Sequence, residues 1–192
     1  TFRYKNFDLN VFINGSVGNK VMNYLSIKLT HMNSAWTNQL TTVNDRAQLV
    51  PIDPNKDYSG GVDVFGTTVY NWYDDITNVK VANSGASIPR VSINDPNDND
   101  RISDRYIEDG SYVRLKNIAL GYTFPKKLIS KFKIENLRLY ANIQNLLTIT
   151  GYDGYDPEVG ASTSDSTGYT YGVDNGRYPS PTTFSFGMNI TF

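Results

Sequence analysis

The sequence predicts an all-β fold of antiparallel strands joined by long polar connections, and three observations support this. Apolar and polar residues alternate in four separate runs, as in strands that have one apolar face. Of the 192 residues, 13% are aromatic although only 39% are hydrophobic, and the connections are rich in Gly, Asn, Asp, Ser and Thr. No run approaches the roughly 18 consecutive apolar residues of a transmembrane helix. A soluble β-sandwich and a transmembrane β-barrel both fit this pattern.

The first two alternating runs are predicted strands near residues 2–14 and 111–124. The first run places four apolar side chains on one face: Phe7, Leu9, Val11 and Ile13. The second run also places four on one face: Ile118, Leu120, Tyr122 and Phe124. Val113 and Leu115 have the opposite phase, which predicts a β-bulge or two-sided burial near Asn117.

The third and fourth runs are predicted strands near residues 135–147 and 182–192. The third run aligns Leu137, Leu139, Ala141 and Ile143. The fourth run alternates up to its last residue, with Phe184, Phe186, Met188, Ile190 and Phe192 on one face. Soluble chain ends normally fray into water, so this pattern favours a transmembrane barrel over a sandwich. A terminal strand of this kind resembles the signal that hands outer-membrane proteins to the barrel assembly machinery.

The connections between the runs differ strongly in length. Residues 125–134 form a short lysine-rich turn, whereas residues 15–109 and 148–181 are longer than a compact soluble domain usually tolerates. Outer-membrane barrels combine short periplasmic turns with long extracellular loops. We therefore expect 125–134 to be periplasmic and the two long segments to be extracellular. Residues 20–40 have only a weak helical spacing.

Composition and motifs argue against catalysis. With 18 basic and 19 acidic residues the chain is nearly neutral, so net charge does not indicate nucleic acid as a partner. The absence of cysteine excludes a disulfide framework and thiolate chemistry. His31, the only histidine, lies in a polar segment with no carboxylate at a metal-ligand spacing. The sequence therefore predicts no catalytic residue and no metal ligand.

One acidic segment, residues 94–104, partly matches a calcium-binding loop. Asp95, Asn97 and Asn99 have the i, i+2, i+4 spacing of an EF-hand. Asp100 replaces the required glycine, and Tyr106 replaces the bidentate glutamate. We therefore expect no cofactor, and an irregular calcium site in this segment stays open as an alternative.

Aromatic and acidic residues in the long segments are the candidate ligand-binding residues. The C–H faces of sugars stack on Trp and Tyr rings, while Asp binds their hydroxyls. The candidates are Trp72, Tyr73, Asp74, Tyr152, Tyr155 and Asp156. The competing interpretation is that such aromatics pack the loops together or anchor them at the membrane rim.

Several motifs resemble the SusC-like, TonB-dependent outer-membrane transporters. The segment RISDRYIEDGSYVRLKNIALGYTFPKKL, residues 101–128, has the Ser-Asp-Arg, Asp-Gly-Ser, Arg-Leu-Lys-Asn and Gly-Tyr-x-x-Pro motifs of that family in the same order. The segment LRLYANIQNLLTITGYDGYDPEV, residues 137–159, resembles the next part of the family, with Asn-x-x-Asn-Leu and Asp-Pro-Glu. Residues 2–20 are similar to one of its barrel strands, whereas residues 22–93 match little.

This resemblance implies the carboxy-terminal part of a plugged barrel of about 22 strands, of which this chain supplies the last four. It also implies import of a large nutrient, commonly an oligosaccharide and sometimes a peptide, across the outer membrane of a Gram-negative bacterium. The implied partners are the remaining barrel and plug, the TonB complex, outer-membrane lipid and a SusD-like surface lipoprotein. A passive porin and a secreted β-sandwich carbohydrate-binding module are the alternatives.

Overall fold

The computed structural model describes residues 1–31, 36–92, 95, 97–160, 162–164 and 168–192. These residues form two compact units. The first unit comprises Thr1–Leu25 and Ser103–Phe192, and the second comprises Ser26–Ile102. None of the helices in the described ranges is long and apolar enough to cross a membrane.

Strands dominate the described residues. In chain order they are β1 (Phe2–Tyr4), β2 (Phe7–Ser16), β3 (Lys20–Asn23), β4 (Leu49–Pro51), β5 (Val62–Val64), β6 (Thr67–Val69), β7 (Val79–Val81), β8 (Ile107–Asp109), β9 (Tyr112–Thr123), β10 (Asn136–Thr150), β11 (Ser162–Ser164), β12 (Gly168–Thr170), β13 (Val173–Asp174) and β14 (Thr183–Thr191). The α-helices are α1 (Tyr24–Thr30) and α2 (Lys126–Ile129). Short 3₁₀ turns occupy Thr41–Asp45, Asp104–Tyr106 and Ser130–Phe132.

Five strands of the first unit form one antiparallel sheet in the order β1-β2-β9-β10-β14. The sequence pattern predicts four strands here, and the difference lies in the first run, which folds into the hairpin β1-β2. Tyr4 pairs with Phe7, so Lys5 and Asn6 form a two-residue turn. Lys5 takes a left-handed φ of 52°, as tight hairpin turns commonly require. The predicted strands near 111–124, 135–147 and 182–192 correspond to β9, β10 and β14.

A β-bulge in β9 restores the phase of the second run. Asn117 and Leu115 pair with successive residues of β2, so Lys116 is an extra residue in β9. An extra residue reverses the face that the preceding side chains occupy. Leu115 and Ile118 therefore face the same side, because their partners in β2 are two residues apart. The bulge predicted near Asn117 is confirmed, and two-sided burial is not needed to explain the sequence.

The register gives the sheet one apolar face and one polar face. Directly paired residues of an antiparallel sheet lie on the same side, so the pairing identifies the members of each face. The apolar face consists of Phe2, Tyr4, Phe7, Leu9, Val11, Ile13, Val113, Leu115, Ile118, Leu120, Tyr122, Leu137, Leu139, Ala141, Ile143, Leu147, Ile149, Phe184, Phe186, Met188 and Ile190. The polar face carries the charged side chains of Asp8, Arg114 and Arg138.

Both long connections leave the same end of this sheet. Ser16, the last residue of β2, and Thr150, the last residue of β10, both pair with Tyr112 at the start of β9. The opposite end has the two-residue β1-β2 turn and the 125–134 connection, which contains α2. Buried apolar side chains of the first unit include Val21 and Tyr152, which lie in the long connections.

The predicted loop over residues 15–109 contains regular elements. In the first unit, β3 pairs with β8 and with β13. In the second unit, β4 pairs with β7 and β5 pairs with β6, and Ile27, Val43 and Ile88 are buried. The weak helical spacing within residues 20–40 corresponds to the short helix α1. Residues 15–109 therefore hold a small folded unit in place of a uniformly irregular loop.

Candidate functional site

The last strand carries the predicted assembly residues on the apolar face. Phe184, Phe186, Met188, Ile190 and Phe192 are between 40% and 82% exposed. The four of them that lie in β14 pair with Ile143, Ala141, Leu139 and Leu137 of β10. An apolar patch of this extent marks a contact surface with protein or membrane. These side chains therefore belong to a surface that requires an apolar environment.

The polar face carries a pair of opposite charges that spans three strands. Arg138 of β10 reaches across β9 and donates from Nε and Nη2 to the two carboxylate oxygens of Asp8 in β2, at 3.1 and 2.6 Å. Gly121 of β9 lies between them, and a Cβ at that position would lie 2.5 Å from Asp8 Oδ1. The missing side chain of Gly121 is what allows the two charges to meet.

A network of four charged side chains, called the Arg114 network below, ties β9 to the segment after β10. Arg114 donates from Nη2 to Asp156 and from Nη1 to Glu158, the latter at 2.7 Å, and its Nε donates to Thr148 Oγ1 at 2.8 Å. Lys116, the bulge residue, donates to the other oxygen of Glu158 at 2.6 Å. Arg114 and Asp156 are both buried. The β9 bulge thus contributes directly to the attachment of this segment.

The carboxylate of Asp156 is held in its ionised form. Burial by itself raises the pKa of Asp156, but the hydrogen bond from Arg114 and the backbone N–H groups of Ser180 and Glu158 bring the pKa below its ordinary value. The hydrogen bond from Ser180 also joins the two ends of the segment that connects β10 to β14. Asp156 is therefore the central anchor of that segment.

A second buried pair fixes the same segment. Tyr152 donates from its hydroxyl to Asp174 at 2.8 Å, and Asp174 also accepts hydrogen bonds from the backbone N–H groups of Gly176 and Arg177. Burial and the adjacent Asp174 carboxylate raise the pKa of Tyr152. The hydroxyl accordingly stays protonated and acts as a hydrogen-bond donor.

These contacts give two of the candidate ligand residues partners within the protein. Tyr152 and Asp156 are 5% and 7% exposed, and their polar groups bind within the protein. Tyr152 and Asp156 therefore position the segment that connects β10 to β14, and their side chains do not face a ligand. Tyr155 lies between them and is 60% exposed, so it stays a candidate for ligand contact.

The other three candidates lie together in the second unit. The rings of Trp72 and Tyr73 meet edge to face with centroids 5.9 Å apart, and Tyr73 is exposed while Trp72 and Asp74 are half-buried. The next residue, Asp75, is fully buried, and a 2.6 Å hydrogen bond from Lys56 is the main cause that lowers its pKa to about 2. Asp75 thus holds in place the chain that presents Trp72 and Tyr73.

His31 has a carboxylate beside it that sequence spacing does not reveal. His31 Nε2 lies 3.0 Å from Asp95 Oδ2, and both residues are buried. The partner is 64 residues away in the sequence, so no spacing rule along the chain identifies it. The side chain of Asn97 donates a hydrogen bond to Asn99, and that of Asn99 donates one to Asp95 Oδ1, so the three side chains form a chain of hydrogen bonds.

Similarity to known proteins extends over the whole chain. No family model matches it. A TonB-dependent receptor of Formosa agariphila is 32% identical over 192 residues, which cover 99% of this chain and 15% of that receptor. The TonB-dependent receptor SusC of Bacteroides thetaiotaomicron is 31% identical over 134 residues, which cover 64% of this chain and 12% of SusC. The chain belongs to the SusC-like TonB-dependent receptors. It spans about 15% of the length of the relatives that it matches.

Solved structures show the fold of this SusC-like segment. The RagAB peptide transporter matches with a TM-score of 0.64 and 21% identity, over 98% of this chain and 16% of that one. The RagAB peptide importer in its closed-closed state matches with a TM-score of 0.61. At this level of identity the likeness is informative about the fold alone. It shows that the antiparallel transmembrane β-barrel predicted from the sequence is correct.

Barrel geometry assigns an environment to each face of the SusC-like sheet. Outer-membrane barrel strands alternate between apolar residues that face lipid and polar residues that face the interior. The apolar face, including Phe186 and Met188, therefore faces outward. The ion pair between Asp8 and Arg138 faces the interior of the barrel, where polar groups are tolerated.

Proposed function

We propose that this chain is part of an outer-membrane transporter that imports a large nutrient in a TonB-dependent manner. The apolar face carries this proposal, since it extends across all five strands of the main sheet and has the composition of a lipid-facing barrel wall. Relatives at 28–32% identity are TonB-dependent receptors, which supports the same activity. The rest of the barrel, its plug and the segment that contacts TonB are parts of this proposal.

The placement of the connections supports a definite orientation. We place residues 17–111 and 151–182 outside the cell and residues 124–135 in the periplasm. Both long segments leave one end of the sheet, and the short connection lies at the other end. Long extracellular loops and short periplasmic turns are the general arrangement of outer-membrane barrels. The Arg114 network and the pair formed by Tyr152 and Asp174 then stabilise the extracellular surface.

The extracellular segments supply the contacts to the nutrient in this proposal. Trp72, Tyr73 and Tyr155 present aromatic rings, and Asp74, the residue after Tyr73, supplies a carboxylate. Rings with adjacent carboxylates bind an oligosaccharide by stacking and hydrogen bonding. A peptide is the second nutrient class, supported by the RagAB peptide transporter among the structural neighbours. A SusD-like lipoprotein that contacts the extracellular segments is the proposed partner.

Uptake measurements test this function. Cells that carry the full-length transporter and its lipoprotein, and a matched strain without the transporter, are given a labelled oligosaccharide mixture or a labelled peptide mixture. We expect uptake of one class to require both the transporter and TonB. Trp72→Ala is expected to reduce this uptake, whereas Trp72→Phe retains a ring and most of the activity. Uptake that persists without TonB would instead identify a passive porin, and uptake of neither class would reject the proposal.

A further inference from the structure

The second unit contains a cluster of three side chains of the types that ligate metals, and the proposed transport function does not use them. His31, Asp95 and Asp100 each present one nitrogen or oxygen atom, and these atoms all lie within 4.8 Å of one another. His31 Nε2 and Asp95 Oδ2 are 3.0 Å apart, and the two side chains are 9% and 10% exposed. Asp100 is the exposed member of the cluster.

We propose that His31, Asp95 and Asp100 bind one Zn²⁺ ion. Zinc takes imidazole nitrogen and carboxylate oxygen at about 2.0–2.2 Å, so neighbouring ligands of one zinc ion lie about 3–3.5 Å apart. The distance between His31 and Asp95 is already in this range. A neutral imidazole and two carboxylates carry a total charge that balances a divalent cation. A nitrogen ligand favours zinc over calcium, which binds through oxygen atoms.

Zinc binding requires one local change in hydrogen bonding. The imidazole proton must lie on Nδ1, so that the lone pair of His31 Nε2 is directed to the metal in place of a hydrogen bond to Asp95. Asn99 Nδ2 donates to Asp95 Oδ1 at 2.8 Å, and the backbone N–H of Asp100 donates to Asp95 Oδ2 at 3.3 Å. Such hydrogen bonds orient a carboxylate ligand toward its metal.

A cavity in the second unit borders one of the three proposed ligands, Asp95. It has a volume of about 330 Å³, and its lining includes Asp95, Asn97, Asn99 and Arg90. Three protein ligands leave one position of a tetrahedral zinc site open for water or another small ligand.

Direct metal binding tests the site without any transport substrate. The full-length transporter in detergent is stripped with chelator and titrated with ZnCl₂ alone, and bound zinc is measured by mass spectrometry after dialysis. We expect the wild-type protein to bind one more zinc ion per chain than Asp100→Asn, whose affinity at this site falls by about 100-fold or more. Because Asp100 is exposed, this substitution does not disturb a buried core. His31→Gln is expected to have the same effect.

Asp98→Asn is the matched control. Asp98 is also exposed and lies two residues from Asp100, and its φ of 48° is readily adopted by asparagine. We expect Asp98→Asn to bind zinc like the wild type. Equal zinc binding by the wild type and Asp100→Asn would overturn the proposal. In a parallel titration with CaCl₂, calcium binding that persists in His31→Gln, together with no zinc binding in the wild type, would overturn it in favour of an oxygen-only site. Because no nutrient is present, neither result depends on the transport proposal.

Discussion

Replacing Phe186 with arginine gives the most direct test of the two faces of the sheet. Phe186 lies in the middle of β14 on the apolar face and is 82% exposed, and the proposed function requires its ring to contact lipid. Ser185, the preceding residue, faces the opposite side and pairs with Asn142. The same new charge at these two adjacent positions therefore enters two different environments.

The expected cost follows from the burial of the ring and from the depth of the new charge. Removal of a phenylalanine from an apolar environment costs about 1.5–3 kcal/mol. An arginine near the bilayer midplane costs about 2–4 kcal/mol more, whereas substitutions inside the barrel mainly change selectivity. We therefore expect Phe186→Arg to destabilise the assembled barrel by about 3.5–7 kcal/mol. Ser185→Arg should cost about 1 kcal/mol or less, in line with surface substitutions.

The assay is the loss of the folded, fast-migrating band on electrophoresis as urea is raised, for the full-length protein in phospholipid vesicles. Phe186→Ala separates the loss of the ring from the effect of the charge and should lie between the other two variants. Equal destabilisation by Ser185→Arg and Phe186→Arg would refute the assignment of the faces. A stable Phe186→Arg variant would show that this side of β14 contacts protein or water and not lipid.

Three further outcomes are expected. Folding lowers the pKa of Asp75 from an ordinary 3.8 to about 2, and it also lowers the pKa of Asp156. The contributions of these two carboxylates to stability are therefore present above about pH 4 and disappear as pH falls through the folded pKa values. Limited proteolysis from pH 5 to pH 2 should show these segments opening, and unchanged cleavage would contradict this. Gly121→Ala should cost about 1–3 kcal/mol in urea unfolding because its Cβ meets Asp8 Oδ1 at 2.5 Å, whereas Gly151→Ala, with open space around it, should be neutral. Deletion of Phe192 should reduce the amount of assembled barrel in isolated outer membranes, and unchanged assembly would remove its predicted role as an assembly signal.

The membrane-facing surface could be predicted because alternation is a local property of a strand. Phe184, Phe186, Met188 and Ile190 share a face whatever else the chain does, since successive side chains of a strand point to opposite sides. The change of phase before Ile118 likewise indicated a bulge, because a strand with one lipid-facing side needs an extra residue to keep that side apolar. The hairpin at Lys5 and Asn6 was missed because this turn carries no glycine to mark it.

The sequence did not show which candidate ligand residues have side chains available to a ligand. The residue types of Tyr152 and Asp156 suit a ligand, but residue type does not show whether a partner within the protein already binds the side chain. Only the structure pairs Tyr152 with Asp174 and Asp156 with Arg114. Tyr155, which belongs to the same short segment, remains exposed.

The sequence alone determined that this chain builds alternating strands with a continuous apolar side, and its motifs identified the family. Tertiary structure decided which charges meet: Arg138 pairs with Asp8 across 130 residues, and His31 pairs with Asp95 across 64. The physical reason is that periodicity depends on neighbours two residues apart, whereas these pairs depend on strand register and on the folding of long connections. Register and connection geometry arise only when separate segments of the chain pack together.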